Sequence, residues 1–97
     1  MRFTWDRRKS DANYRERGFD FEFASLIFDG LIVMVEDTRR DYGERRFVAI
    51  GSADGLHLTV VFTDRIGVKG EIARRIISAR QSNRRERNLY DQAIQQE

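Results

Sequence analysis

Eight basic side chains crowd into the segment Arg65 to Arg87 (Arg65, Lys69, Arg74, Arg75, Arg80, Arg84, Arg85 and Arg87), against two acidic ones, Glu71 and Glu86. The segment carries +6 in a chain whose formal net charge is +2, so everything else sums to −4. Charge focused in this way points to a local polyanion site and not to general adhesiveness. Arginine suits one task above others: its fixed charge and planar donors fit phosphate oxygens. Metal-free RNA cleavage needs a base for the 2′-hydroxyl, charge stabilisation on the pentacoordinate phosphate and a proton for the leaving 5′-oxygen. Arginines answer the second need, where one well-placed donor is worth about 3 kcal/mol by analogy with oxyanion holes.

The candidate phosphate ligands are Arg80, Arg65 and Arg74 or Arg75, with Lys9, Arg84 and Arg85 as further RNA-binding charges. Each alone also reads as a solvated or ion-paired surface arginine or lysine. Two residues are candidates for moving protons. Tyr90 qualifies if neighbouring arginines lower its pKa, and otherwise packs the last helix with its hydroxyl wet. His57 qualifies by its ordinary pKa range, and otherwise is an exposed strand histidine. Trp5, the single tryptophan, either stacks on a base, a contact worth about 1–3 kcal/mol, or anchors the edge of the core. Asp41 and Glu44 either hold arginines or act as a base, or they simply belong to a polar turn.

The elements that must position these groups follow from periodicity. Glu71 to Arg80 alternates as a strand, with Ile72, Arg74, Ile76, Ser78 and Arg80 on one face and Ala73, Arg75, Ile77 and Ala79 on the other. Asn83 followed by Glu86 marks a helix start, and Leu89, Tyr90, Ala93 and Ile94 recur at helical spacing. Leu56 to Arg65 alternates too, with Leu58, Val60 and Phe62 facing a core and His57, Thr59, Val61, Thr63 and Arg65 facing a side that can be wet. Gly67 and Gly70 join the two strands as an antiparallel hairpin, in a register that brings His57 near Ser78 and Arg80 and Arg65 near the start of the second strand. His57 and Arg65 are then about 26 Å apart and cannot share one small site.

Upstream, Phe3 to Trp5 predicts a short strand and Asp6 caps a polar, largely solvated helix that Gly18 stops. Asp20 caps a second helix with Phe23, Ala24, Ile27 and Phe28 as its apolar stripe, ended by Gly30. Leu31 to Val35 reads as a strand buried on both faces, Glu36 to Glu44 as a polar turn, and Arg45 to Gly51 as the next strand, before a turn at Ser52 to Gly55. The expected architecture is α+β, with helices packed on one face of a mainly antiparallel sheet. Residues 1–97 make a single domain.

Composition removes several classes. The chain has no cysteine and one histidine, which disfavours disulfides, thiolate zinc sites and a cysteine nucleophile, so neither metal nor cofactor is expected. No apolar run approaches the ~20 residues of a membrane span, and the first residues lack a signal-peptide pattern, so a cytoplasmic protein is expected.

Several separated segments match one family. FTWD at Phe3 to Asp6, Lys9 with Asn13, RGFDFEFA at Arg17 to Ala24, DYGERR at Asp41 to Arg46, Gly51, VVFTDR at Val60 to Arg65, RIISAR at Arg75 to Arg80 and ERNLY at Glu86 to Tyr90 resemble the BrnT toxins, in collinear order over about nine-tenths of the chain. The resemblance implies a RelE-like fold, with two N-terminal helices on one face of the sheet and a C-terminal helix. It also implies a ribonuclease toxin of a type II toxin–antitoxin module. The partner implied is a BrnA antitoxin with a ribbon-helix-helix DNA-binding domain, in an assembly of two toxins on an antitoxin dimer. Arg80 becomes the first choice among the arginines because it closes the RIISAR motif. Many relatives carry Lys-His-Gly where this chain has Glu16-Arg17-Gly18. Either that imidazole is not essential, or Arg17 keeps an electrostatic part of its work.

Two functions therefore compete. One is an endoribonuclease that inhibits translation and growth, leaving a 2′,3′-cyclic phosphate. The other is a non-catalytic basic module that binds nucleic acid or an acidic partner. Direct DNA reading is not expected, since no helix-turn-helix pattern appears and DNA contact would come through the antitoxin.

Overall fold

The computed structural model describes residues 1–95. The order is β1 (Arg2–Trp5), α1 (Arg7–Arg17), α2 (Phe21–Ser25) running into a 3-10 turn (Leu26–Asp29), β2 (Val33–Asp37), β3 (Arg46–Ala53), β4 (Leu56–Ile66), β5 (Ile72–Gln81) and α3 (Arg84–Gln95). The strands form one mixed sheet in the order β1-β5-β4-β3-β2. β2 to β5 meander antiparallel, and β1 adds parallel to β5, pairing Arg2 with Ala73 and Trp5 with Ile76.

Local chemistry sets the element ends. Asp6 accepts hydrogen bonds from the backbone of Arg8 and Lys9, and Gly18 closes α1 in the left-handed conformation at φ 86°. Asp20 caps α2 through the Phe23 amide. Asp54 and Gly55, both at positive φ, make the two-residue turn between β3 and β4. At the start of α3 the Asn83 side chain accepts from the Glu86 amide while the Glu86 carboxylate accepts from the Asn83 amide, a reciprocal cap.

The core lies between α1, α2 and one face of the sheet. Phe19, Phe21, Ala24 and Ile27 pack on Ala49, Leu58, Val60, Phe62, Ile76 and Ala79, with Phe3, Trp5, Phe23, Phe28 and Phe47 at its margin. Gly51 is part of this packing: a Cβ there would lie 2.7 Å from the Ile27 Cβ. Inside α1, Ser10 and Asn13 are buried because they tie the helix to the chain entering α2, Ser10 accepting from the Phe21 amide and Asn13 donating to the Phe19 carbonyl.

Three expectations need correction. Helices cover both faces of the sheet, since α3 lies opposite α1 and α2, against the strand face that carries His57 and Arg80. The Leu31 to Val35 run is no doubly buried strand: β2 is an edge strand, with Met34 48% and Val35 61% exposed. A β-bulge between Val61 and Phe62 of β4 and Ser78 and Ile76 of β5 leaves Ile77 unmatched, so the alternation of β5 inverts halfway. Arg80 and Ser78 stand opposite Thr59 and Val61, but below the bulge Arg75 stands opposite Thr63 and Arg74 opposite Asp64. Arg75 therefore shares the α3 face with Arg80, and Arg74 is turned to the core face.

Candidate nucleic-acid interface

The α3 face is built of three cross-strand rows read from the register. One holds Val33, Ile50, Thr59 and Arg80; the next Val35, Val48, Val61 and Ser78; beyond them Asp37 pairs with Arg46 and Thr63 with Arg75, and alternation past Phe47 and Phe62 sets these two pairs on the same face. Arg65 follows Thr63 on the same face. Four residues of β4 separate the Arg80 and Arg75 rows, about 13 Å, and six separate Arg80 from Arg65, about 20 Å. The arginines thus form a track and not a single cluster.

Arg80 stands at the junction of β5 and α3. Its Nη1 and Nη2 donate to the two Glu86 carboxylate oxygens at 2.7 and 2.8 Å. These bonds raise the Arg80 pKa above the ordinary arginine value and hold Glu86 below the ordinary carboxylate range. The same Glu86 carboxylate caps α3, so one group fixes both the helix start and the guanidinium. Two of five donors are strongly used, and the side chain remains 46% exposed. Arg39, which lines the same shallow cleft as Glu86, opposes a small part of that rise, and its own charge is matched by Asp37.

At the other end of the track, Arg46 packs its guanidinium 4.2 Å above the Tyr42 ring, and its buried Nε lies 3.5 Å from Glu44 with no hydrogen-bond partner among the described residues. Glu44 also meets Arg65 at 3.4 Å. Asp37, buried at the edge of the row, accepts from Arg39 Nε and Nη2 at 2.9 Å each, from the Arg39 amide and from the Tyr42 hydroxyl. The Arg39 side chain first, then its amide and the Tyr42 hydroxyl, hold the Asp37 carboxyl far below the usual carboxylate range. Arg75 is half-buried and joins no ion pair among the described residues.

Other candidates are placed elsewhere. Arg74 is bound to Asp64 at 2.8 and 2.9 Å and lies over the rings of Phe62 and Phe28, with its side chain 15% exposed. It works as a cationic lid on the core. Trp5, opposite Ile76, packs against that same core as an edge anchor. Lys9 lies on α1 beside the β5 edge, in a shallow hollow with Asn13, Arg17 and Ser78. Arg84 and Arg85 are exposed on the first turn of α3. Tyr90 is buried, and its hydroxyl is not wet but donates to the Leu31 carbonyl at 2.9 Å. His57 stacks edge-on against Tyr90 at 5.4 Å, with Nε2 3.7 Å from Asp91, and its carbonyl accepts from Ser82. It lies one row beyond Arg80 on the same face, as expected, but not near Ser78, which stands opposite Val61 two rows from His57.

Arg17, at the C-terminal end of α1, reaches the edge of β5. Its Nη1 donates to Asn13 and to the Ala79 carbonyl at 2.9 Å, covering the edge of β5 immediately before Arg80. Sequence reasoning missed Arg39, Arg46, Asp37 and Tyr42 as site residues. The alternation Arg46, Val48, Ile50 would have placed Arg46 on the arginine face, but nothing local shows that the turn after β2 folds Arg39 back onto Asp37.

No curated protein matches the chain significantly. A family model described as ribonuclease toxin, BrnT, of type II toxin–antitoxin system matches residues 5–86, a span that contains every row of the arginine face and the cap that fixes Arg80. The chain belongs to the BrnT family of ribonuclease toxins of type II toxin–antitoxin systems.

Proposed function

We propose that the α3 face is where this toxin cleaves RNA, by metal-independent transesterification that leaves a 2′,3′-cyclic phosphate. The observation that carries the reading is the line of Arg80, Arg75, Arg46 and Arg65 along one face of the sheet, with Arg80 pre-oriented by Glu86. Guanidinium groups stabilise the charge that builds on the phosphate without proton exchange, and a fixed donor adds most in the transition state. Arg80 and Arg75 act as phosphate ligands, and Arg65 and Arg46 extend the track along the strand. Metal independence is supported by this dependence on fixed cations and by a chain with no cysteine and one histidine. Glu44, whose one hydrogen bond among the described residues is a long 3.4 Å contact from Arg65, and His57 stand at opposite ends of the track, so only His57, one row from Arg80, is placed to exchange a proton beside that arginine.

A BrnA-like antitoxin with a ribbon-helix-helix domain, assembled as two toxins on an antitoxin dimer, is proposed from the family resemblance, as are the RelE-like fold and a cytoplasmic location. A mixed sheet whose four consecutive strands meander, with helices on both faces, supports that fold. No helix among the described residues is long and apolar enough to cross a membrane.

The test is cleavage of a labelled RNA in EDTA, with product ends identified, by the wild type and by Arg80→Ala, Arg75→Ala and Arg74→Ala. Cyclic-phosphate ends are expected, with losses of about 10²–10³ for Arg80→Ala and Arg75→Ala. Arg74→Ala lowers stability and leaves cleavage by the folded fraction near wild type. A folded wild type that cuts no RNA, with ribosomes present, would leave only the binding-module alternative.

A further inference from the structure

β2 leaves one edge of the sheet open. It pairs with β3 alone, so along its other side the backbone donors and acceptors of Val33–Asp37 meet no strand among the described residues. Natural sheets guard such an edge with proline, lysine or a bulge, and β2 reads VMVED, with none of the three. Apolar side chains are exposed on both of its faces: Met34, 48% exposed, on the side of α1 and α2, and Val35, 61% exposed, on the side of α3. Beside Val35 lies a cleft of 330 Å³ floored by Val48 and Ile50 and walled by Leu89 of α3, itself 48% exposed.

Charge tells what fits there. The acidic groups around the cleft are already matched, Glu36 by Arg45, Asp37 by Arg39 and Glu86 by Arg80, so it offers no positive field to a nucleic acid. Leu89 also borders a second hollow along α3, with Arg84, Arg85, Asn88 and Gln92, where Arg84 and Arg85 join no ion pair among the described residues. A bare strand edge beside an apolar cleft, continued by two unmatched cations, is complementary to a protein chain that is extended and apolar in one part and acidic in the next. Membership of a type II toxin–antitoxin family gives this toxin a protein partner. We propose that β2 docks an extended segment of that antitoxin, which adds as a sixth strand, seats one apolar side chain in the cleft against Val35 and Leu89, and brings acidic residues to Arg84 and Arg85. The inference rests on family membership and not on where RNA is cut. A second copy of this chain fits less well, because antiparallel pairing that sets Met34 on Met34 runs Glu36 and Asp37 against Ile32 and Leu31.

Hydrogen exchange of the whole toxin, free and bound to the antitoxin of its module, tests this together with affinities measured at low and high salt. The outward-facing amides of Val33–Asp37 should exchange about tenfold or more slowly in the complex. Val35→Lys, which adds charge at an exposed edge position, should weaken antitoxin binding about 30-fold or more, and the milder Leu89→Ala about fivefold. Arg84→Glu/Arg85→Glu should weaken it about tenfold and flatten its salt dependence. Ile66→Lys, at a 75% exposed apolar position near the tip of the β4–β5 hairpin, should bind as the wild type does. Unchanged exchange in Val33–Asp37 on binding, or full affinity of Val35→Lys, would overturn the proposal. So would a dimer of the toxin alone that Val35→Lys dissolves while antitoxin binding persists, which would give the edge to a second copy.

Discussion

Tyr90 separates a structural from a catalytic reading most sharply, and Tyr90→Phe isolates one hydroxyl. That hydroxyl donates to the Leu31 carbonyl at 2.9 Å from a residue only 6% exposed, so the variant deletes one hydrogen bond and leaves a carbonyl under-served. The net cost of such a loss is about 0.5–1.5 kcal/mol. In a domain of this size each kcal/mol lowers Tm by about 4–8 °C, so a fall of about 2–12 °C is expected. Tyr90→Ala also deletes the ring and its edge contact with His57, at about 3–5 kcal/mol, which approaches the whole stability of a small domain. Urea unfolding should show the midpoint of the Phe variant displaced with an unchanged slope. RNA cleavage, measured well below its Tm, should stay within about twofold of wild type. A Phe variant of wild-type stability that lost cleavage by about 10² or more would make the phenol a proton carrier and refute the anchoring role.

Two further outcomes follow from packing and charge. Gly51→Ala forces a Cβ to within 2.7 Å of Ile27 in the core, and urea titration should show a loss of about 1–3 kcal/mol, with Gly55→Ala as a control that meets no neighbour but carries the strain of positive φ. Asp37 and Glu86 have folded pKa values depressed below their ordinary 3.8 and 4.5, so their contribution to stability is complete above those values and is lost as pH falls beneath them. Asp37→Asn and Glu86→Gln should each flatten the acid limb of stability against pH below about 4.5, measured by urea midpoints from pH 7 to 2.

Much of the scaffold was legible because its signals are local. Caps at Asp6, Asp20 and Asn83, the Asp54–Gly55 turn and the Leu58, Val60, Phe62 stripe each depend on a few neighbouring residues. The errors came from relations between distant segments. An apolar run such as Leu31 to Val35 reads alike whether a sixth strand lies beside it or not, and among the described residues none does. α3 is amphipathic enough to pack on either face of the sheet, and which face it takes is decided by how the chain leaves β5, not by its own pattern. At the site, alternation placed Arg80 and Ser78 correctly and failed at Arg74 and Arg75, because the bulge at Ile77 has no signature in a stretch of ordinary strand formers. Arg74 looked like a ligand by composition alone. Its partner Asp64 and the rings beneath it are brought there by β4 and the 3-10 turn.

The parallel pairing of β1 has a consequence for how the molecule comes into being. β1 has no sheet neighbour but β5, and its partners Ala73 to Ile76 are made about seventy residues after it. During synthesis the first strand waits unpaired while the meander grows, and closing so long a loop is slow compared with forming the hairpins. β5 also delivers Arg75 and Arg80, and α3 delivers Glu86. A nascent or truncated chain that ends before Ile72 therefore has no partner for β1 and lacks the arginines that β5 carries.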